Sequence, residues 1–137
     1  MFFSIYDPME EKEASLLNVL QLAYIGDAVW EIIVRNHLVR RGYNLRHIHS
    51  ECIRMVNAHA QAIFAEALQP ELTPFETDLM RRGRNAHPHH PAPKNQDPGD
   101  YNSATAFEAL LGYLYLTGNE ERRKYLASRL IGGNERG

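Results

Sequence analysis

The stretch Leu22-Ala-Tyr-Ile-Gly-Asp-Ala-Val-Trp30 lies inside a run from Val19 to Val34 that is apolar at nearly every position. The run is too long for a strand, holds no proline and contains no turn cluster, so it reads as a buried helix. Its polar positions are Gln21, Asp27 and Glu31. An ionised carboxylate in a buried helix is costly unless it is paired, hydrogen-bonded or bound to a metal. A lone helical Asp more often just faces solvent. Here Glu31 follows Asp27 by four residues, which puts both acids on one narrow stripe of the helix. Two neighbouring acids repel at neutral pH, so a cationic visitor to that stripe is expected.

A second stretch repeats the pattern. Tyr101 to Leu116 reads YNSATAFEALLGYLYL, apolar after its start, with one carboxylate, Glu108. Gly112 stands one turn after Glu108, and Gly26 stands directly before Asp27. Glycine inside a helix costs about 1 kcal/mol relative to alanine, so it calls for a reason. Close approach of another helix is the simplest. Two apolar helices crossing at these glycines would bring Asp27 and Glu108 together.

The chain of 137 residues is expected to form one compact domain with a real core. Its formal charge of −2 decides nothing about nucleic acid, and its single cysteine, Cys52, excludes an internal disulfide framework and fits a reducing cytoplasm. The start MFFSIYDPMEEKEA lacks a signal-peptide pattern, and no apolar run reaches about 18 residues, so neither export nor a membrane span is expected. Residues 1–14 read as an acidic lead-in, 15–131 as the domain and 132–137 as a flexible tail. Ser15 or Asn18 caps the first long helix, which Gly42 stops after Arg40 and Arg41. A second helical region starts at Asn44, bends at Asn57 and ends at Pro70, and Thr73-Pro74 opens another. Residues 85–100, rich in Pro, His and Asn, read as a long basic loop. The apolar helix from about Tyr101 follows, then a last one from Asn119 to about Ile131. No strand is evident. The class is all-α.

Charge is unevenly placed. Between Asp78 and Asp97 there is no acid, while Arg81, Arg82, Arg84 and Lys94 fall there with His87, His89 and His90. A second basic window holds Arg35, Arg40, Arg41 and Arg46. Arginines at helix ends ordinarily complement dipoles, but RRGRNA opening into a long loop marks a polyanion-facing surface. The His87–His90 tract has no Cys or acid within it to complete a transition-metal site. His37, His47, His49 and His59 make no HExxH-type pattern and take no catalytic role.

LAYIGDAVWE, RRGRNA, the PKN at 93–95 and SATAFEALLGYLYL together, in this order, resemble Mini-ribonuclease III, the ribonuclease III relative with a catalytic domain and no double-stranded-RNA-binding domain. The similarity covers roughly residues 16–131. It implies an all-α endonuclease domain, a helical homodimer, and Mg²⁺-dependent cleavage of double-stranded RNA, with Mn²⁺ able to substitute. The products would carry 5′-phosphate and 3′-hydroxyl ends, and the family association is with maturation of large-subunit (23S) ribosomal RNA. Asp27 and Glu108 match the family's metal-site carboxylates. Three further family acids are replaced here by Leu20, Ala23 and Thr105. Tyr24 takes the position of an aromatic residue that enters a partner socket, and Trp30 is placed either at that seam or in the intrachain core. Arg81, Arg82, Arg84 and Lys94 are the expected RNA contacts. A non-catalytic RNA- or ribosome-binding module that lost cleavage with those acids is the competing reading, and cleavage with and without Mg²⁺ separates the two.

Overall fold

A computed structural model describes residues 1–87 and 92–131, and among them every regular element is helical. Helices α1 (Glu11–Ser15), α2 (Val19–Arg40), α3 (Leu45–Val56), α4 (Ala58–Leu68), α5 (Pro74–Arg84), α6 (Pro98–Leu116) and α7 (Glu120–Leu130) follow in order. A 3₁₀ turn at Gln69–Glu71 joins α4 to α5.

Side-chain caps set these boundaries. Asn18, Asn44, Asn57, Thr73, Asp97 and Asn119 each accept a backbone N–H of the first turn that follows, satisfying donors the helix itself leaves open. Asn57 therefore does more than bend a helix: it separates α3 from α4. Gly42, at φ +80°, lets the chain leave α2 in the left-handed region. α6 starts at Pro98, earlier than the expected Tyr101, because Asp97 caps it and proline is tolerated in the first turn.

α6 is apolar all round, and such a helix is stable only when surrounded. α2, α4 and α5 pack on it, and Ala104 to Leu114 are buried apart from the half-buried Glu108. Trp30 of α2 is 0% exposed. Its ring meets Phe64 and Phe107 edge-on, with centroids 5.4 Å and 5.0 Å away, and its Nε1 donates to the Met55 carbonyl at 3.0 Å. That corrects the placement of Trp30 at a dimer seam: it has no surface left for a partner.

From Met9 onward the lead-in packs against the domain, while Phe2, Phe3 and Tyr6 stay exposed. The Met9 N–H donates to the Leu116 carbonyl at 2.7 Å, and Ala14 is fully buried. α5 is fixed to α7 by Glu76, 5% exposed, whose carboxylate receives Arg122 Nη2 at 2.7 Å and Nε at 2.9 Å. Burial would raise Glu76, but Arg122 and the Thr73 N–H outweigh it and hold the group below the ordinary carboxylate value. The 132–137 tail and His89 and His90 of the histidine tract lie outside the described residues. No helix among the described residues is long and apolar enough to cross a membrane.

Candidate active site

α2 and α6 touch backbone to backbone. A Cβ added at Gly26 would stand 1.6 Å from the Glu108 carbonyl oxygen, and one at Gly112 would stand 1.8 Å from the Leu22 carbonyl oxygen. Only glycine fits at either place. The crossing point is therefore the backbone of Glu108 against the residue preceding Asp27. That contact makes the two carboxyl groups neighbours that act on each other electrostatically, as the pair of glycines implied.

The environments of the two acids differ. Glu108 is half-buried, whereas Asp27 is exposed. The expected burial of Asp27 is thus corrected: α2 is covered on one face only, and Tyr24, Asp27, Ala28 and Ile32 lie on the uncovered side. Burial pushes Glu108 up, the neighbouring Asp27 adds its charge and a hydrogen bond, and the Gln61 amide opposes them weakly; the result is about 8. A shift of that size favours the protonated form of Glu108 at neutral pH. Two carboxylates placed this way resist joint ionisation until a cation joins them.

Glu31 does not join the pair. Its carboxylate receives Arg35 Nη2 at 2.5 Å one turn along α2, so the cation expected on the acidic stripe comes from the helix itself. Thr105 stands where the family pattern has another acid. Its hydroxyl donates to the Tyr101 carbonyl at 3.1 Å and meets His87 Nε2 at 3.1 Å. Ala23 is buried, and no group of three or more His, Cys, Asp or Glu gathers among the described residues.

Two hard oxygen donors and no thiolate or imidazole fit a cation that retains most of its water, which is the habit of Mg²⁺. A second feature fits the same ion. Gln61 of α4 is buried beside Glu108, and its Oε1 has no hydrogen-bond partner. Sequence reading passed over this residue. Its signal was present: Gln61, Ala65 and Leu68 share the buried spacing of α4.

A cleft of about 260 Å³ opens at Glu108, lined by Val56, Gln61, Gln96, Tyr101 and Thr105 among others. Beside it lies a smaller one of about 210 Å³ lined by Asn57, His59, Asn95, Gln96 and Asp100 among others, with His59 Nδ1 2.9 Å from Asp100 Oδ2. A larger cleft of about 620 Å³, with Phe75, Tyr113 and Arg122 in its wall, includes neither acid.

The basic residues stand at the end of α5 and in the following loop. Arg81 Nη2 lies 2.7 Å from Asp78 Oδ1, and Arg82 Nε lies 3.7 Å from Asp78 Oδ2. Arg84 is half-buried and Lys94 is exposed. Tyr24 is 81% exposed, on the open face of α2 that carries Asp27.

Residues 20–119 match the ribonuclease III domain family. The chain is 51% identical over 104 residues to a Mini-ribonuclease 3 of Symbiobacterium thermophilum, covering 75% of this chain and 79% of that one. It is 46% identical over 110 residues to the Mini-ribonuclease 3 of Gloeobacter violaceus, covering 80% and 78%. A crystal structure of a protein from Fusobacterium nucleatum superposes with a TM-score of 0.78 at 27% identity, covering 91% of this chain and 98% of that one. The chain belongs to the ribonuclease III family, in its Mini-ribonuclease III branch, as an endoribonuclease of double-stranded RNA.

Proposed function

We propose that Asp27 and Glu108 hold a hydrated Mg²⁺, that two copies of the chain act on one duplex, and that the natural substrate is precursor large-subunit (23S) ribosomal RNA in the cytoplasm. The observation that carries the metal assignment is the glycine crossing, which sets Glu108 against the residue before Asp27 and makes the two acids electrostatic neighbours. Mn²⁺ offers similar oxygen-ligand chemistry and is the expected substitute.

When bound, the cation supplies Lewis-acid polarisation of phosphate and a water activated for in-line attack. The chain's own groups divide the remaining work. Asp27, exposed on α2, is the carboxylate that an approaching phosphate meets first. Glu108, set deeper, anchors from the α6 side and gives up its proton when the site fills. The water oxygen bonds to phosphorus as the bond to the 3′ oxygen breaks, leaving 5′-phosphate and 3′-hydroxyl ends. No side-chain nucleophile is required, which agrees with Cys52 being buried. Arg81, Arg82, Arg84 and Lys94 contact RNA backbone outside the acid pair, since A-form duplexes are gripped by phosphates and 2′-hydroxyls.

Cleavage of a labelled RNA duplex by purified protein, with Mg²⁺, with Mn²⁺ and with chelator, tests the assignment. Asp27→Asn removes a charge and hardly changes volume, so a folded variant should lose at least ~100-fold in rate, beyond the ~10–100-fold that loss of an outer-sphere partner brings. Near-wild-type cleavage by that variant at saturating Mg²⁺ would refute the pair as the metal site. Mapping 23S ribosomal RNA ends in cells lacking the protein tests the substrate.

A further inference from the structure

Gln61 is 2% exposed, an unusual burial for an amide side chain, and it occupies a core position of α4 beside the acid pair. Its Nε2 donates to the Val56 carbonyl at 3.0 Å. A carbonyl can only accept, so the amide cannot be turned over, and the place of Oε1 is fixed by the same contact. Gln61 and Glu108 line the same cleft, and the amide weakly opposes the upward shift of the Glu108 carboxyl. What remains is Oε1, buried and without a partner. Buried acceptors are nearly always satisfied, so an orphan beside an acid pair calls for a donor that arrives with the ligand.

The chemistry of that donor follows from the site. A water bound to a cation turns its lone pair to the metal and its hydrogens outward, and so needs acceptors around it. Mg²⁺ keeps several such waters. Thr105, the other buried polar residue of the cleft, already has its hydroxyl engaged with the Tyr101 carbonyl and with His87. Gln61 Oε1 is a pure acceptor and is unoccupied by any contact within the chain.

We infer that Gln61 is the positioning residue of this site: the bond from Nε2 to the Val56 carbonyl at the α3–α4 junction fixes the amide beside Glu108, and Oε1 accepts a hydrogen bond from a water of the hydrated divalent cation. The inference rests on the reading that Asp27 and Glu108 hold that cation. Gln61 touches neither the phosphate nor the metal, and it acts through Glu108 and through a bound water. Outer-sphere partners of this kind commonly govern affinity by about 10–100-fold.

The test needs no cleavage. Mg²⁺ is titrated calorimetrically into wild-type protein and into Asp27→Asn, Gln61→Leu, Gln61→Met and Gln61→Glu, each checked by circular dichroism. Wild type should bind and Asp27→Asn should not. Gln61→Leu and Gln61→Met should bind about 10–100-fold more weakly, and the unbranched methionine covers the case in which leucine disturbs α4. Gln61→Glu restores an acceptor oxygen and should return affinity to within about threefold of wild type or better, whereas a merely structural Gln61 would leave glutamate no better than leucine. Equal affinity in wild type, Gln61→Leu and Gln61→Met overturns the inference while the metal site stands. If those variants instead lose duplex affinity measured without divalent cation, Oε1 serves a ribose hydroxyl and the inference is again overturned. If wild type and Asp27→Asn titrate alike, the metal reading itself falls, and this inference falls with it.

Discussion

Glu108 carries the sharpest chemical consequence of the helix crossing. A carboxyl at about 8, against an ordinary 4.5, is protonated at neutral pH. The folded chain then keeps a proton that the unfolded chain releases, so stability falls as pH rises from about 4.5 to about 8 and levels off above that. Glu108→Gln is neutral throughout. It should raise metal-free stability at pH 8 by on the order of 1–3 kcal/mol and change it little near pH 5. Urea denaturation at the two pH values reads the difference, and an equal change at both would assign the effect to packing. A cation at the pair must displace that proton, so Mg²⁺ uptake at pH 7 should release about one proton, seen as a buffer-dependent heat. Both acids were legible in the sequence because each interrupts an apolar helix beside a glycine. The exposure of Asp27 was not, since an apolar run does not say which of its faces the rest of the chain will cover. Gln61 was missed for another reason: one amide among alanines looks like a surface residue until its spacing to Ala65 and Leu68 is followed.

Among the helices, the α2–α6 contact positions the chemistry, and its weakest tolerance is at Gly26. The atom that a new Cβ would meet is backbone, the Glu108 carbonyl oxygen, so no side chain can swing aside. Gly26→Ala should therefore cost at least about 3 kcal/mol, the upper end for overpacking, and should part the two carboxyl groups. Denaturant midpoints measure the first effect and Mg²⁺ affinity the second; a stable variant with wild-type affinity would mean the helices need not touch. α5 poses the RNA question. Arg81 and Arg82 both lie against Asp78, so reaching phosphate means leaving an intrahelical partner, whereas Lys94 is exposed in the loop. Arg84 and Lys94 should matter more than Arg81. On the cleavage-dead Asp27→Asn background, removing each true phosphate contact should flatten the log–log salt dependence of duplex affinity by roughly 0.7–0.9. An unchanged slope for the combined variant moves the RNA to the Arg35–Arg46 segment. The helix order was legible because capping residues are local signals. The start of α6 was misplaced because Pro98-Gly99 looks like a loop until Asp97 is seen as its cap.

One chain leaves a row of apolar side chains uncovered along α2: Tyr24, Ala28, Ile32 at 62% exposure and Val39. Steps of four, four and seven residues keep that row on one side of the helix. Exposed apolar side chains on one helix face, here broken by Arg35 and Asn36, suit an interaction surface. Asp27 lies on the same open face, so pairing two copies across α2 would set two acid pairs around one two-fold axis, matching the antiparallel strands of a duplex. The sequence disclosed Tyr24 through its place in the family pattern, but the rest of the stripe emerges only once the core side of α2 is known. Ile32→Glu distinguishes a seam from bare surface better than truncation does. On a lone chain a glutamate there is solvated, and stability should change by no more than about 0.5 kcal/mol. In a seam it buries a charge against its own symmetry mate, and the dimer should weaken by at least ~100-fold, with Tyr24→Ala weakening it less. Sedimentation across a concentration series, with thermal melting of the same samples, separates the cases. A variant that sediments as a monomer, melts like a folded protein and cuts duplexes poorly places both the seam and the need for two copies at α2. A variant that remains dimeric at the lowest concentration removes α2 from the seam, and a Tyr24→Ala protein that loses melting temperature but not assembly returns Tyr24 to its own chain's packing.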